Sequence, residues 1–338
     1  MSGTRRVWKL ARRPVGEIAD GDLVLVEEPL PEPGPGQVLV RVGYLSLDPT
    51  NRIWMSDMEQ YMPPVELGEP MRGGIVGRVV KSRNSAFAEG QLVAGLGAWT
   101  DYLLSDGTGL QPMPEIPGIP VPVAFGTFGV VGPTAYFGLL DIGQPQPGET
   151  LVVSAAAGGV GQIVGQLGKI HGCRVIGIAG GPQKCRFITE ELGFDAAIDH
   201  RTEDVGAALD RLAPDGIDIN FEQVGGPIMR EVTRRLRRFG RMPLCGLISR
   251  YNAKDPMVEE PGFWTLILMR RLTIRGFIVT DFAPRFPEAV QRLAQWMLEG
   301  RLKVRQDIRP GLEHAADYVK LLYTGGNFGK LMVEVNAL

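Results

Sequence analysis

The rhythm of hydrophobic and polar positions changes about a third of the way along the chain. In the first third, apolar residues come in short β-branched runs separated by glycine, proline and polar turns. Residues 22–27, 37–42, 75–81 and 91–94 each read as a strand, with a Pro/Gly stretch at 29–36 between the first two. Short strands at this spacing predict a β-rich, barrel-like domain. Residues 112–122 hold five prolines and predict a rigid connection. From about residue 124, strand-like and helical runs alternate. Strands are predicted at 151–154, 174–178, 196–198, 217–221, 241–245 and 272–279, and helices at 160–170, 187–192, 205–212 and 228–238. That alternation predicts a doubly wound parallel sheet. An amphipathic helix at 287–298 carries Val290, Leu293 and Met297 on one face. A helix at 315–322 and a strand at 331–335 are predicted to return to the first domain. The fold class is therefore α/β plus β. The boundaries fall at 1–124 with 310–338 for the β-rich domain and 125–309 for the α/β domain.

Composition narrows the partners. A chain of 338 residues exceeds what one compact core holds, which fits two domains. The net charge of −2 gives no electrostatic case for nucleic acid or an anionic membrane. Three cysteines (173, 185, 245) and three histidines (171, 200, 314) are too few and too scattered for a disulfide framework or a zinc cluster, so no metal is expected. No apolar run approaches the roughly 20 residues a membrane helix needs, and no apolar core follows the basic N-terminus. A cytoplasmic location is expected.

The strongest chemical signal is AAAGGVG at 155–161, between a predicted strand and a predicted helix. Glycines there let backbone approach a pyrophosphate, and the helix N-terminus faces the anion with its amides. A dinucleotide site for NAD usually ends its second strand in an acid that bonds the ribose 2′-hydroxyl. Here the strand runs into Ala179-Gly180-Gly181-Pro182-Gln183-Lys184, with no acid and a lysine. A lysine attracts a 2′-phosphate, so the cofactor is expected to be NADP(H).

Further motifs extend the pattern: YLSLDP at 44–49, GPTAYFGL at 132–139, PDG at 214–216, VGG at 224–226, CGLISRYN at 245–252 and NFGK at 327–330. With the glycine loop, they make the chain resemble the zinc-independent branch of the medium-chain dehydrogenase/reductase superfamily, near the prostaglandin reductase, leukotriene hydroxydehydrogenase and curcumin reductase group. The resemblance covers nearly the whole chain. It implies a GroES-like substrate domain and a Rossmann domain, and a homodimer. Zinc enzymes of the superfamily carry Gly-His-Glu where this chain has Leu67-Gly68-Glu69-Pro70, without the histidine.

By position, the resemblance implies that Gly158, Gly159, Val160 and Gly161 hold the pyrophosphate and Lys184 the 2′-phosphate. It places Cys245, Gly246, Leu247, Ile248 and Ser249 beside the cofactor, with Phe277, Ile278 and Val279 at the nicotinamide and Asn327 reaching the cofactor. Three positions depart from the pattern. His200 stands where a tyrosine is common, and Gln223 where an asparagine is. Thr50 stands where several relatives place an active-site tyrosine. The first two keep hydrogen-bonding capacity; the third alters the substrate pocket. Tyr61 lines that pocket or packs on the barrel.

The implied reaction is NADPH-dependent reduction of the C=C bond of α,β-unsaturated ketones or aldehydes. Tyr251 is the catalytic and substrate-binding candidate, because charge developing on the substrate oxygen needs a donor. Quinone reduction on the same scaffold and a non-catalytic NADPH-binding redox sensor are the alternatives. The arginines at 234, 235, 237, 238 and 241 read as a solvated helix face or interface rim. His171 is read as a helix C-terminal partner and Cys173 as a buried strand residue. Asp48 is read as a loop-ordering or turn-capping group.

Overall fold

A computed structural model describes residues 3–254 and 262–338. Its strands fall into three sheets. β1 (Thr4–Leu10) and β2 (Leu23–Pro29) form an antiparallel ribbon. β3 (Val38–Ser46), β4 (Arg72–Ser82), β5 (Leu92–Ala98), β6 (Tyr102–Ser105) and β7 (Leu110–Pro112) form most of a seven-stranded sheet. β8 (Thr150–Val153), β9 (Arg174–Ala179), β10 (Ala196–Asp199), β11 (Ile217–Phe221), β12 (Leu236–Leu244) and β13 (Thr273–Gly276) form a six-stranded parallel sheet in the order β10-β9-β8-β11-β12-β13. β14 (Gln306–Pro310) and β15 (Lys330–Glu334) then run back into the seven-stranded sheet, where β15 pairs with β3.

The parallel sheet is apolar on both faces because helices cover both. Leu151 and Val153 pack with Ile163 and Leu167 on one side, while Val152 and Ile176 pack with Leu209 and Val232 on the other. The second core gathers Trp8, Val38, Leu45, Ile75 and Trp99 from the first third with Leu312, Val319, Leu331 and Val333 from the last. The C-terminal segment thus returns to the first domain. β14 goes with it, so residues 306–309, assigned to the α/β domain by sequence, hydrogen-bond into the mixed sheet. Gln162 and Gln166, on the helix after the glycine loop, each bond both the amide and the carbonyl of one linker residue, Arg305 and Lys303 respectively.

Several expected elements shift. The helix predicted over 228–238 is Gly226–Arg234, and β12 begins at Leu236. Leu236 is fully buried against β11, and that burial overrides the helix propensity of the arginine run. The strand predicted over 272–279 ends at Gly276, opposite Leu244, where its neighbour β12 also ends. Phe277 and Ile278 leave the sheet, and Val279 opens a 3₁₀ turn, Val279–Arg285. The helix predicted over 187–192 starts earlier, at Pro182, so Lys184 lies in its first turn.

Four of the five arginines in the group form ion pairs. Arg235 holds Asp210 and Glu231, Arg234 holds Glu231, Arg237 holds Asp218, and Arg241 holds Glu149. Cys173 is buried, and His171 caps its helix with its ring nitrogen 2.8 Å from the Leu167 carbonyl.

Candidate active site

The glycine loop leaves β8 beside β11, where the strand order of the parallel sheet reverses and ligands of such sheets bind. Ala155 takes a left-handed φ of 48° and turns the chain sharply. The first bond of the Gly159–Ile170 helix runs from the Gln162 amide to the Gly158 carbonyl at 3.1 Å. The amides of Gly159, Val160 and Gly161 therefore precede the intrahelical ladder and are free for an anion. A Cβ on Gly161 would sit 2.4 Å from the Ala155 carbonyl oxygen, so only glycine permits this turn.

The C-terminal segment closes one side of the loop. The Gly329 amide donates to the Ala157 carbonyl at 3.0 Å. Gly329 has φ of 91°, and a Cβ there would lie 2.2 Å from the Arg305 carbonyl oxygen. Asn327 turns its amide to the Gly329 carbonyl at 3.0 Å, which ties its own loop. The next residue, Lys330, is buried, and its ammonium donates to the Leu47 carbonyl and to Asp48, each at 2.7 Å. Burial lowers the Lys330 pKa against the pull of Asp48. Asp48 also accepts from Ser46. The sequence reading missed Lys330 as a tie between the glycine loop and the Asp48 turn, although it completes the NFGK motif.

Two loops at the carboxyl ends of β11 and β12 run side by side. The amides of Cys245 and Gly246 donate to the Glu222 carbonyl, Ile248 to that of Gln223 and Ser249 to that of Val224. Glu222 is fully buried. Its carboxylate accepts from the Val224 and Gly225 amides, Ser154 and Asn220. Burial raises its pKa, and those donors oppose the rise. Gln223 directs its amide to the Ser154 carbonyl at 2.6 Å. The side chain that replaces the family asparagine is thus engaged with β8. Burial pushes the Cys245 thiol up to about 12.

His200 and Ser249 meet Val224, Gly225, Gly206 and Ile228 at one cavity of about 590 Å³. Lys184 lies nearby, its ammonium 2.9 Å from the Gly325 carbonyl. Burial and Arg201 lower the Lys184 pKa; burial, then Arg201, also lowers that of His200. The Phe277 ring packs over Gly138 and edge-on to Phe282. Ile278 and Val279 follow it into the 3₁₀ turn.

Tyr251 ends the short helix Ile248–Tyr251. Its hydroxyl oxygen accepts the Leu247 amide at 3.1 Å, which leaves its own proton available to donate. Burial raises its pKa to about 12, with Cys245 and Tyr61 adding to the effect. Tyr61 is therefore within electrostatic reach of Tyr251, and its hydroxyl bonds that of Thr50. The two pocket candidates thus meet each other. Tyr323, from the C-terminal segment, donates to the Pro49 carbonyl at 3.1 Å and fixes the turn carrying Thr50. Among the described residues, no three His, Cys, Asp or Glu side chains are grouped as metal ligands.

The chain is similar to known proteins over most of its length. Residues 6–113 match the family described as N-terminal domain of oxidoreductase, and residues 159–295 the family described as zinc-binding dehydrogenase. The chain is 44% identical to NADPH-dependent curcumin reductase of Escherichia coli over 98% of its own length and 96% of the relative's. It is 38% identical to prostaglandin reductase 1 of Mus musculus over 97% and 98% of the two lengths. The crystal structure of CurA in complex with NADPH from Vibrio vulnificus superposes with a TM-score of 0.93 at 43% identity, covering 98% of this chain and 100% of that one. With a GroES-like mixed sheet, a Rossmann-like parallel sheet and no histidine at 67–70, the chain belongs to the zinc-independent medium-chain dehydrogenase/reductase superfamily.

Proposed function

We propose that this protein is an NADPH-dependent reductase of the C=C bond in α,β-unsaturated ketones and aldehydes. The observation that carries the reading is the Tyr251 phenol. It is half-buried, its oxygen is pinned by the Leu247 amide and its proton is uncommitted, beside loops suited to hold a dinucleotide. NADPH, when bound, supplies the hydride that the β-carbon receives. The protein's own residues do the rest. After the turn at Gly158, the residues Gly159, Val160 and Gly161 hold the pyrophosphate on helix amides, and Lys184 with His200 faces the adenosine end. Loop 245–249, Gln223, the 277–279 turn and Asn327 frame the nicotinamide side. Tyr251 donates to the substrate oxygen as negative charge builds there, and Thr50 with Tyr61 lines the substrate side.

The substrate domain runs to about residue 124 and resumes in the C-terminal segment, with the cofactor domain between. A cytoplasmic enzyme is in keeping with three cysteines that are all free. No single described helix is long and apolar enough to cross a membrane. A homodimer is supported by β13, the edge of the parallel sheet. All its residues are exposed, as are Trp264, Leu268 and Met269 beside it.

The test is NADPH oxidation across a panel of enones, alkenals and quinones, in parallel with NADH. Enones and alkenals are expected to turn over with NADPH and much more slowly with NADH. Turnover of quinones alone would replace this reading with quinone reduction. Tight NADPH binding with no oxidation by any substrate would make the protein a binder.

A further inference from the structure

Two cations of the parallel-sheet domain converge on the C-terminal end of one helix. Lys184 donates to the Gly325 carbonyl at 2.9 Å, and Arg201 reaches the Thr324 carbonyl at 3.4 Å. Among the described residues neither forms an ion pair. The two carbonyls lie at the C-terminal end of the Ala315–Thr324 helix, the negative end of its dipole. That helix packs in the core of the other domain through Ala315 and Val319. The substrate domain thus positions both cations.

The Arg201 guanidinium lies across the end of β9. A Cβ at Gly180 would sit 2.9 Å from its Nε and 2.9 Å from the His200 Nε2, and a Cβ at Gly181 would sit 3.8 Å from its Nη1. In a sheet of this order, the end of the second strand is where the adenosine ribose of a dinucleotide is read. Two nearby carboxylates are already committed. Asp199 accepts the backbone amides of Gly181 and Arg201 at 2.8 and 3.1 Å. Asp307 accepts from Arg309 and from the Phe328 amide. Arg201 repels the Lys184 ammonium, and a phosphate monoester is a dianion that both cations could bind.

We infer that Arg201 is a second binding residue for the cofactor 2′-phosphate, acting as a planar fork beside the point charge of Lys184. This rests on the NADPH reading above. No match to a family position marked Arg201. The signal in the sequence was its place two residues beyond β10, next to His200, where neighbouring strand ends meet.

Calorimetric titration with 2′,5′-ADP and with 5′-AMP tests it without turnover. The parent protein is expected to prefer 2′,5′-ADP strongly. Arg201→Ala is expected to bind 2′,5′-ADP about tenfold more weakly, with 5′-AMP and NADH affinity unchanged. Arg201→Lys, which keeps the charge but loses the planar fork, is expected to bind 2′,5′-ADP more weakly than the parent. An Arg201→Ala protein that binds 2′,5′-ADP like the parent overturns the inference, as does an equal loss for 5′-AMP. A parent protein with no preference for 2′,5′-ADP would sink the NADPH reading itself, which Lys184→Ala checks separately. Arg201 is exposed, so its variants are expected to unfold at the parent's temperature.

Discussion

A phenol whose pKa is about 12 stays protonated across the working range of an enzyme. For Tyr251 the first cause is burial, which disfavours the phenolate; the Leu247 amide opposes it. The sign is simple: a raised pKa keeps the donor form present at every pH below about 12. Tyr251→Phe is therefore expected to lower kcat at least tenfold, about 1.4 kcal/mol. NADPH affinity should hold, since the hydroxyl's bond is to its own loop. In the parent, kcat should show no loss attributable to Tyr251 ionisation up to about pH 10. A phenylalanine variant with unchanged kcat takes Tyr251 out of the chemistry. The sequence singled out Tyr251 through its motif. That Thr50 and Tyr61 bond each other across eleven positions was not legible, because nothing local links the turn after β3 to the loop before β4.

The strand–loop–helix unit works as one element. Gly161 is packed against the Ala155 carbonyl oxygen, so Gly161→Ala must displace the turn that aims the helix amides. We expect it to weaken NADPH binding at least tenfold by fluorescence titration and to destabilise the fold by about 1–3 kcal/mol in urea unfolding. NADPH affinity equal to the parent's would mean that this turn is not the phosphate cradle. The unit was legible because its logic is local: a buried strand, small residues, then an amphipathic helix. Elements whose ends depend on a neighbour were read less well. The run at 235–238 favours helix by composition, yet Leu236 is drawn into the sheet beside Ile217. β13 stops at Gly276 because β12 offers no further backbone to pair with.

At the scale of the molecule, the free edge of β13 and the apolar helix face beside it ask for a cover. Trp264 is 78% exposed and Leu268 68%. The paired variant Trp264→Glu with Leu268→Glu is expected to sediment as a 36.8 kDa chain, and the parent at twice that mass. A parent that sediments as a single chain refutes the homodimer. The C-terminal segment is the other large-scale feature. It ties the glycine loop through Gly329 and the Asp48 turn through Lys330, and it meets Lys184 and Arg201 at the end of its helix. One stretch of chain thus reaches both ends of the proposed site.

By itself the sequence determined the two periodicities, and with them an α/β and a β-rich domain, because strand and helix repeat their buried positions at different spacings. It also determined the glycine loop and the lysine in place of an acid, since each is a property of a few consecutive residues. Only the tertiary structure decided that β14 joins the mixed sheet, that Arg201 stands beside Lys184, and that Lys330 is buried against Asp48. Those facts depend on pairings between residues far apart in the chain, and a one-dimensional pattern carries no record of which distant charge or edge will be its neighbour.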